Sequence, residues 1–238
     1  MKKVNELQVK IFSDGAEKAD ILKLYKNPLI KGFTTNPTLM RKAGITDYRS
    51  FAIDLLQAIT DRPISFEVFD DTFPEMKRQA LEIAGWGENV YVKIPITNTR
   101  REPAYDLILD LTSRQVKLNI TAILATDQVR ELVLCLQASP SAFVSVFAGR
   151  IADTGVDPVP LMAECVKLLR PYPNLELLWA SSRELLNIFQ ADAIGCGIIT
   201  VTPAILKKMN LVGKDLHEYS LDTVKMFYED GRSSGFSL

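Results

Sequence analysis

Residues Asn89-Val90-Tyr91-Val92-Lys93-Ile94-Pro95-Ile96 form an apolar run interrupted by one lysine. The run is short, rich in Val and Ile, and more continuous than alternating, which suits a strand covered on both faces. A parallel sheet with helices on either side provides that cover. The lysine raises a second question. Burying an ammonium is costly, and lysine is seldom fully buried without a partner. A desolvated lysine loses proton affinity, and its neutral amine attacks carbonyls to give Schiff bases. The plain alternative is a lysine snorkelling from an edge strand to solvent.

Similar runs recur on both sides of this one, at Gln8 to Ser13, Ile30 to Phe33, Pro63 to Phe69, Val116 to Ile123, Ala142 to Phe147, Leu175 to Trp179 and Ala193 to Thr200. Helix-like stretches separate them, including 17–25, 48–59, 75–84, 127–137 and 158–169, with apolar residues at helical spacing. Eight strands alternating with helices predict an α/β fold, a single (β/α)8 TIM barrel. An open doubly wound sheet would call for a glycine-rich dinucleotide or phosphate loop after the first strand, and neither fingerprint is present. A further helix is expected over about 214–229, followed by a flexible end at Gly231-Arg232-Ser233-Ser234-Gly235-Phe236. No linker or repeat divides the chain, so one domain over 1–238 is expected.

Composition narrows the function. The 238 residues are 47% hydrophobic and 24% charged, as in globular proteins that fold around a core. A net charge of -1 leaves no basic field for nucleic acid. No apolar run approaches a membrane span, and Met1-Lys2-Lys3-Val4-Asn5-Glu6 has no signal-peptide core, so a cytoplasmic protein with no membrane partner is expected. Cys135, Cys165 and Cys196 are dispersed among apolar neighbours and read as structural thiols. The one histidine, His217, has no serine motif or cysteine cluster beside it. Catalysis therefore falls to lysine, carboxylates, hydroxyls and water, with no metal and no cofactor expected.

In a barrel, catalytic groups gather at the C-terminal ends of strands. Taken in order, those ends carry Asp14, then Thr34, Thr35 and Asn36, then Glu67, Lys93, Asn119 with Thr121, Ser145 with Phe147, and finally Ala180-Ser181-Ser182-Arg183. Glu67, Lys93, Asn119, Thr121 and Ser145 interrupt their strands rather than follow them. Buried polar groups need partners, and inside a closed barrel these would find one another. Each has a plainer reading too: Asp14 as a helix cap, Asn36-Pro37 as a turn, Glu67 in a structural ion pair, Arg150 and Arg183 as solvated loop residues.

Five segments resemble one family in its own order: Gly32-Phe33-Thr34-Thr35-Asn36-Pro37-Thr38-Leu39, Val92-Lys93-Ile94-Pro95, Leu118-Asn119-Ile120-Thr121-Ala122-Ile123-Leu124, Ser145 to Asp153, and Ala180-Ser181-Ser182-Arg183. The chain is similar to the transaldolases, and its length resembles the short transaldolases and the related fructose-6-phosphate aldolases. The resemblance implies a class I, metal-free aldol mechanism on sugar phosphates. In it Lys93 forms the Schiff base, Asp14 handles the C4-hydroxyl proton, and Glu67 and Thr121 hold the proton-shuttling water. Thr34, Asn36, Asn119, Ser145 and Phe147 line the site of the dihydroxyacetone unit, and Arg150, Ser181 and Arg183 grip the phosphate.

The resemblance also implies a transferase of carbohydrate metabolism, in the pentose phosphate pathway or a specialised sugar route. It implies a ring-shaped homo-oligomer, a pentamer or decamer. Glutamate at 67 and phenylalanine at 147 match transaldolases, whereas the aldolase branch carries glutamine and tyrosine there. Transfer is therefore expected over free aldol cleavage. The alternatives are a dihydroxyacetone-using aldolase and a barrel-shaped binding protein without activity. Two departures from the pattern are Gly15 after Asp14 and the bulky Leu178-Trp179 before Ala180.

Overall fold

The computed structural model describes residues 2–236. Eight parallel strands close into a barrel in sequence order: β1 (Lys10–Asp14), β2 (Ile30–Thr34), β3 (Ile64–Glu67), β4 (Val90–Pro95), β5 (Leu118–Ile123), β6 (Ala142–Val146), β7 (Leu175–Trp179) and β8 (Ile198–Val201). Closure runs through β1 and β8, with Lys10 opposite Ile198 and Ser13 opposite Val201. The helices are α1 (Lys18–Tyr25), α2 (Pro37–Lys42), α3 (Tyr48–Ala58), α4 (Phe73–Ala84), α5 (Tyr105–Ser113), α6 (Thr126–Leu136), α7 (Ala148–Asp153), α8 (Pro158–Leu169), α9 (Leu186–Ala193), α10 (Pro203–Lys207) and α11 (Leu216–Ser233). This is the (β/α)8 architecture that the strand pattern predicts, with a C-terminal helix. Among the described residues no helix is long and apolar enough to cross a membrane.

The last strand begins later than its apolar residues suggest. Ala193 ends α9, and Gly195 turns the chain at a φ of 77°, a left-handed conformation natural to glycine. Helix α11 in turn runs past Gly231 to Ser233, where the sequence suggested a flexible end.

Strand alternation builds two cores. Val90, Val92 and Ile94 face the large apolar layer between strands and helices. Their neighbours Tyr91 and Lys93 face inward. Inside the barrel, Phe12, Phe143, Leu178, Ala180 and Ile198 form an apolar floor against which Tyr91 packs. Tyr91 stacks on Phe143 at 4.0 Å, and Phe12 meets Phe143 edge-on at 5.6 Å. Gly32 makes room for the Phe12 ring, since a Cβ there would lie 2.6 Å from it. Above this floor the inward positions turn polar.

Capping residues start several helices that follow the strands. Asn36 accepts from Leu39 N–H at 3.0 Å, Asp157 from Val159 N–H at 3.0 Å, and Thr202 from Ile205 N–H at 3.5 Å. Each precedes a proline, whose fixed φ and missing N–H suit the first helical position. Cys165 and Cys196 are buried free thiols, both pushed up to about 12 by burial, while Cys135 is only half-buried.

Candidate active site

Lys93 occupies an inward position of β4, directly opposite Glu67 on β3 and Asn119 on β5. Its residue is 6% exposed, so it does not snorkel. The Nζ atom lies 2.9 Å from the Glu67 carboxylate and donates to the Thr35 carbonyl at 2.8 Å. The amine thus has a carboxylate beside it able to exchange its proton.

Two hydrogen-bond chains flank it. Thr34 Oγ1 donates to Asp14 at 2.8 Å and lies 2.6 Å from Thr200 Oγ1, which must then donate to Thr34. Burial pushes the Asp14 carboxyl above its ordinary value, although the Lys93 charge and the Thr34 hydrogen bond pull it down. On the other side Ser145 Oγ donates to Asn119 Oδ1 at 2.6 Å, and Asn119 Nδ2 donates to Ser65 Oγ at 3.0 Å. The Asn119 amide is fixed at both ends.

Two non-glycine residues at this mouth hold left-handed backbones, Ala122 and Ser181, each with a φ of 62°. Such conformations cost about 1–3 kcal/mol and gather at functional sites. Ala122 falls where the pairing of β5 with β6 slips between Ile120 and Ile123. The preceding Thr121 is 2% exposed and lines the cavity, and its hydroxyl has no hydrogen-bond partner among the described residues. Ser181 comes close to Gly149, where a Cβ would fall 1.5 Å from the Ser181 carbonyl oxygen. Only glycine lets the turns after β6 and β7 approach this way.

Asp14, Thr34, Asn36, Lys93, Asn119, Thr121, Ser145, Phe147, Arg150 and Ser181 line one cavity of about 110 Å³ at the C-terminal ends of the strands. Asn36 does so while also capping α2. Arg150 sits with its guanidinium carbon 5.5 Å from the Phe147 ring centre. Glu67 lies just behind Lys93. Arg183 is placed differently. It stands at the rim, where its Nε donates to Asp153 at 2.9 Å, its Nη2 pairs with the same carboxylate, and its Nη1 donates to Ser181 O and Oγ at 3.0 Å. The guanidinium holds Asp153 below the usual carboxylate range.

Leu178 and Ala180, noted in the sequence beside Ser181, also line the cavity, and several contributors escaped the sequence reading, Thr200 on the cavity wall among them. Ser65 shares the inward face of β3 with Glu67, so the period-2 rule would have found it. Thr200 stands at a strand end as Thr34 does and carried the same signal. Tyr48, whose hydroxyl binds the backbone of Glu67, gave none.

A buried amine beside a carboxylate, a second carboxylate with a single donor among the described residues and a guanidinium at the opening are groups able to serve as nucleophile, base and anion clamp. Comparison with known proteins gives the family. The family model described as Transaldolase/Fructose-6-phosphate aldolase matches residues 11–237. A probable transaldolase of Dehalococcoides mccartyi is 35% identical over 202 residues, covering 84% of this chain and 90% of the relative. Probable transaldolases of Chelativorans sp. and Hyphomonas neptunium are 32% and 31% identical, covering 91% and 97% of this chain and 97% and 100% of the relatives. A putative lyase/mutase from Burkholderia cenocepacia superposes with a TM-score of 0.58 at 14% identity, covering 97% of this chain and 85% of that one, and attests the fold alone. With barrel, site and relatives in agreement, the chain belongs to the transaldolase/fructose-6-phosphate aldolase family.

Proposed function

We propose that the protein is a transaldolase that carries a dihydroxyacetone unit on Lys93 from fructose 6-phosphate to erythrose 4-phosphate, or in reverse from sedoheptulose 7-phosphate to glyceraldehyde 3-phosphate. The observation that carries this reading is the Lys93 amine, buried in the cavity 2.9 Å from Glu67. The amine adds to the C2 carbonyl of the donor, and the carbinolamine loses water to become an iminium ion. In this reading Glu67 and the Thr121 hydroxyl, which has no partner among the described residues, hold that water and move its protons. Asp14 removes the C4-hydroxyl proton. The C3–C4 bond then breaks, its electrons pass to the iminium, and glyceraldehyde 3-phosphate leaves. The enamine attacks the aldehyde of the acceptor, Asp14 returns the proton, and hydrolysis frees Lys93.

The raised carboxyl of Asp14 supports a role as a base stronger than an ordinary carboxylate. Phe147 offers no hydroxyl at the cavity wall to activate water, which favours an enamine that waits for a sugar acceptor. Arg150 and Ser181 receive the phosphate, and Arg183 joins them by leaving Asp153. Guanidinium forks match phosphate oxygens in pairs. In the same reading α11 packs on a neighbouring copy in a ring-shaped homo-oligomer. Its support is that α11 buries none of its own residues while exposing Leu221, Val224, Phe227 and Tyr228.

The test is borohydride reduction in the presence of fructose 6-phosphate, followed by mass spectrometry. A reduced three-carbon adduct on Lys93 is expected, and Lys93→Met should abolish both adduct and turnover. Release of glyceraldehyde 3-phosphate should depend strongly on erythrose 4-phosphate. Equal rates without acceptor would show an aldolase instead, and no adduct would remove the Schiff-base reading.

A further inference from the structure

The backbone ladder between β2 and β3 breaks off at the level of the reactive amine. Three rungs form: Phe33 N–H to the Pro63 carbonyl at 2.9 Å, then Ser65 N–H to the Phe33 carbonyl, as the pairing of Phe33 with Ile64 and Thr34 with Ser65 requires, then Thr35 N–H to the Ser65 carbonyl at 3.2 Å. In a parallel pair the next rungs would run from Glu67 N–H to the Thr35 carbonyl, then from residue 37 N–H to the Glu67 carbonyl. Residue 37 is Pro37, which has no N–H. Neither rung is present. Instead Lys93 Nζ donates to the Thr35 carbonyl at 2.8 Å. Glu67 N–H donates to Tyr48 Oη at 2.8 Å, and the Tyr48 hydroxyl donates to the Glu67 carbonyl at 2.8 Å. One phenol thus takes up both Glu67 backbone groups that the seam leaves open.

Tyr48 is itself held firmly. Its ring meets Phe66, Phe69 and Trp86 edge-on, with centres 6.2, 5.7 and 5.6 Å away. Burial lifts its phenol well above the ordinary value, so the hydroxyl keeps its proton at working pH and acts as a fixed donor and acceptor rather than an acid. It sits 19 residues before Glu67, at the start of α3.

We propose that Tyr48 is a positioning residue: by replacing β2 as the partner of the Glu67 backbone, it holds the seam open and sets the Glu67 carboxylate against Lys93 Nζ. The opening frees the Thr35 carbonyl for the same amine. A continuous ladder would draw Glu67 N–H onto that carbonyl, where it would compete with Lys93. This inference rests on Lys93 and Glu67 acting as described under the proposed function.

Tyr48→Phe removes both hydrogen bonds and keeps the three ring contacts. The experiment measures the rate of borohydride-trapped adduct formation on Lys93 with fructose 6-phosphate, together with kcat, KM and thermal unfolding. It compares wild type, Tyr48→Phe, Glu67→Gln and the double variant. Trp86→Phe serves as a packing control, since it disturbs the ring cluster without touching Glu67. Tyr48→Phe should slow trapping and kcat about ten- to a hundredfold, as small displacements in an active site do, with KM nearly unchanged. In the Glu67→Gln background it should slow them no further, because it acts through that carboxylate. Trp86→Phe should lower the melting temperature and leave trapping at the wild-type rate. Full activity in Tyr48→Phe, or equal slowing in both backgrounds, would overturn the inference while the Schiff-base reading stood. A wild type that traps nothing on Lys93 would overturn both.

Discussion

Asp14 and Asp192 are carboxylates at opposite ends of the same barrel, and their surroundings differ in kind. Asp192, near the end of α9, is surrounded by donors. Its carboxylate accepts from Lys2 Nζ at 2.6 Å, from Gln8 N–H at 2.6 Å and from Val9 N–H at 3.1 Å, tying the N-terminal segment to the base of β1. Burial pushes Asp192 up, but these three donors outweigh it and the carboxyl rests below its ordinary value. Asp14, at the mouth, has one donor among the described residues, Thr34. There burial wins over the Lys93 charge and that hydrogen bond, and the carboxyl rests high. A protein that completes the solvation of a carboxylate makes an anchor. One that leaves the solvation incomplete holds a carboxyl with raised proton affinity and carries a cost in stability for it.

The sharpest way to break this contrast is to neutralise both groups and watch what is lost. Asp14→Asn should reduce kcat about 10²- to 10⁴-fold, the usual contribution of a positioned base. Steady-state assay of transfer checks this, and a variant with near-normal kcat would remove Asp14 from the reaction. Asp192→Ala should do the reverse. It leaves the Gln8 and Val9 N–H groups without an acceptor, for a loss of about 2–4 kcal/mol in unfolding free energy. Activity per folded molecule should stay unchanged. Denaturant titration and assay together measure both, and a loss of kcat at full stability would undo the assignment.

The two groups should also respond to pH with opposite sign. The lowered carboxyl of Asp192 adds stability above the unfolded-state value, and that stability is lost as pH falls through the folded-state value. The raised carboxyl of Asp14 works the other way. The folded state gives up its proton later than the unfolded chain does, so Asp14 costs stability as pH rises above the ordinary carboxylate value, about 4. Asp14→Asn should therefore raise the melting temperature near neutral pH and change it little below that value. The melting-temperature difference between variant and wild type, followed from acid to neutral pH, decides this; a constant difference would contradict it. The smallest effect is expected from Thr34→Val. It removes the donor that pulls Asp14 down, so the acid limb of the pH–rate profile should move to higher pH with a loss in kcat of about tenfold or less.

Much of this was legible because barrel geometry translates sequence spacing into position. Lys93, Asn119 and Ser145 each interrupt an apolar strand, and period-2 alternation sends such residues inward once the neighbours on either side face the helices. Asn36, expected at the site with a plain Asn-Pro turn as the alternative, both caps α2 and lines the cavity. Other features left no trace. Ala122 and Ser181 adopt left-handed backbones without the glycine that usually announces one. Tyr48 looks like an ordinary apolar-face residue of α3, and its role depends on a hydrogen bond to a strand that begins well after it. Arg183 could be placed at the mouth from its segment, yet its engagement with Asp153 joins the loop after β7 to the end of α7, a meeting no spacing encodes.

That meeting depends on Gly149, whose missing side chain lets the turns after β6 and β7 touch. The consequence falls on anyone redesigning this enzyme for new sugars. Position 149 behaves as a keystone, and enlarging it would pry the start of α7, which carries Arg150, away from the loop that carries Arg183. Libraries that randomise the rim while leaving this one residue alone should stay rich in folded, substrate-binding members, whereas those that include it spend their diversity on broken mouths.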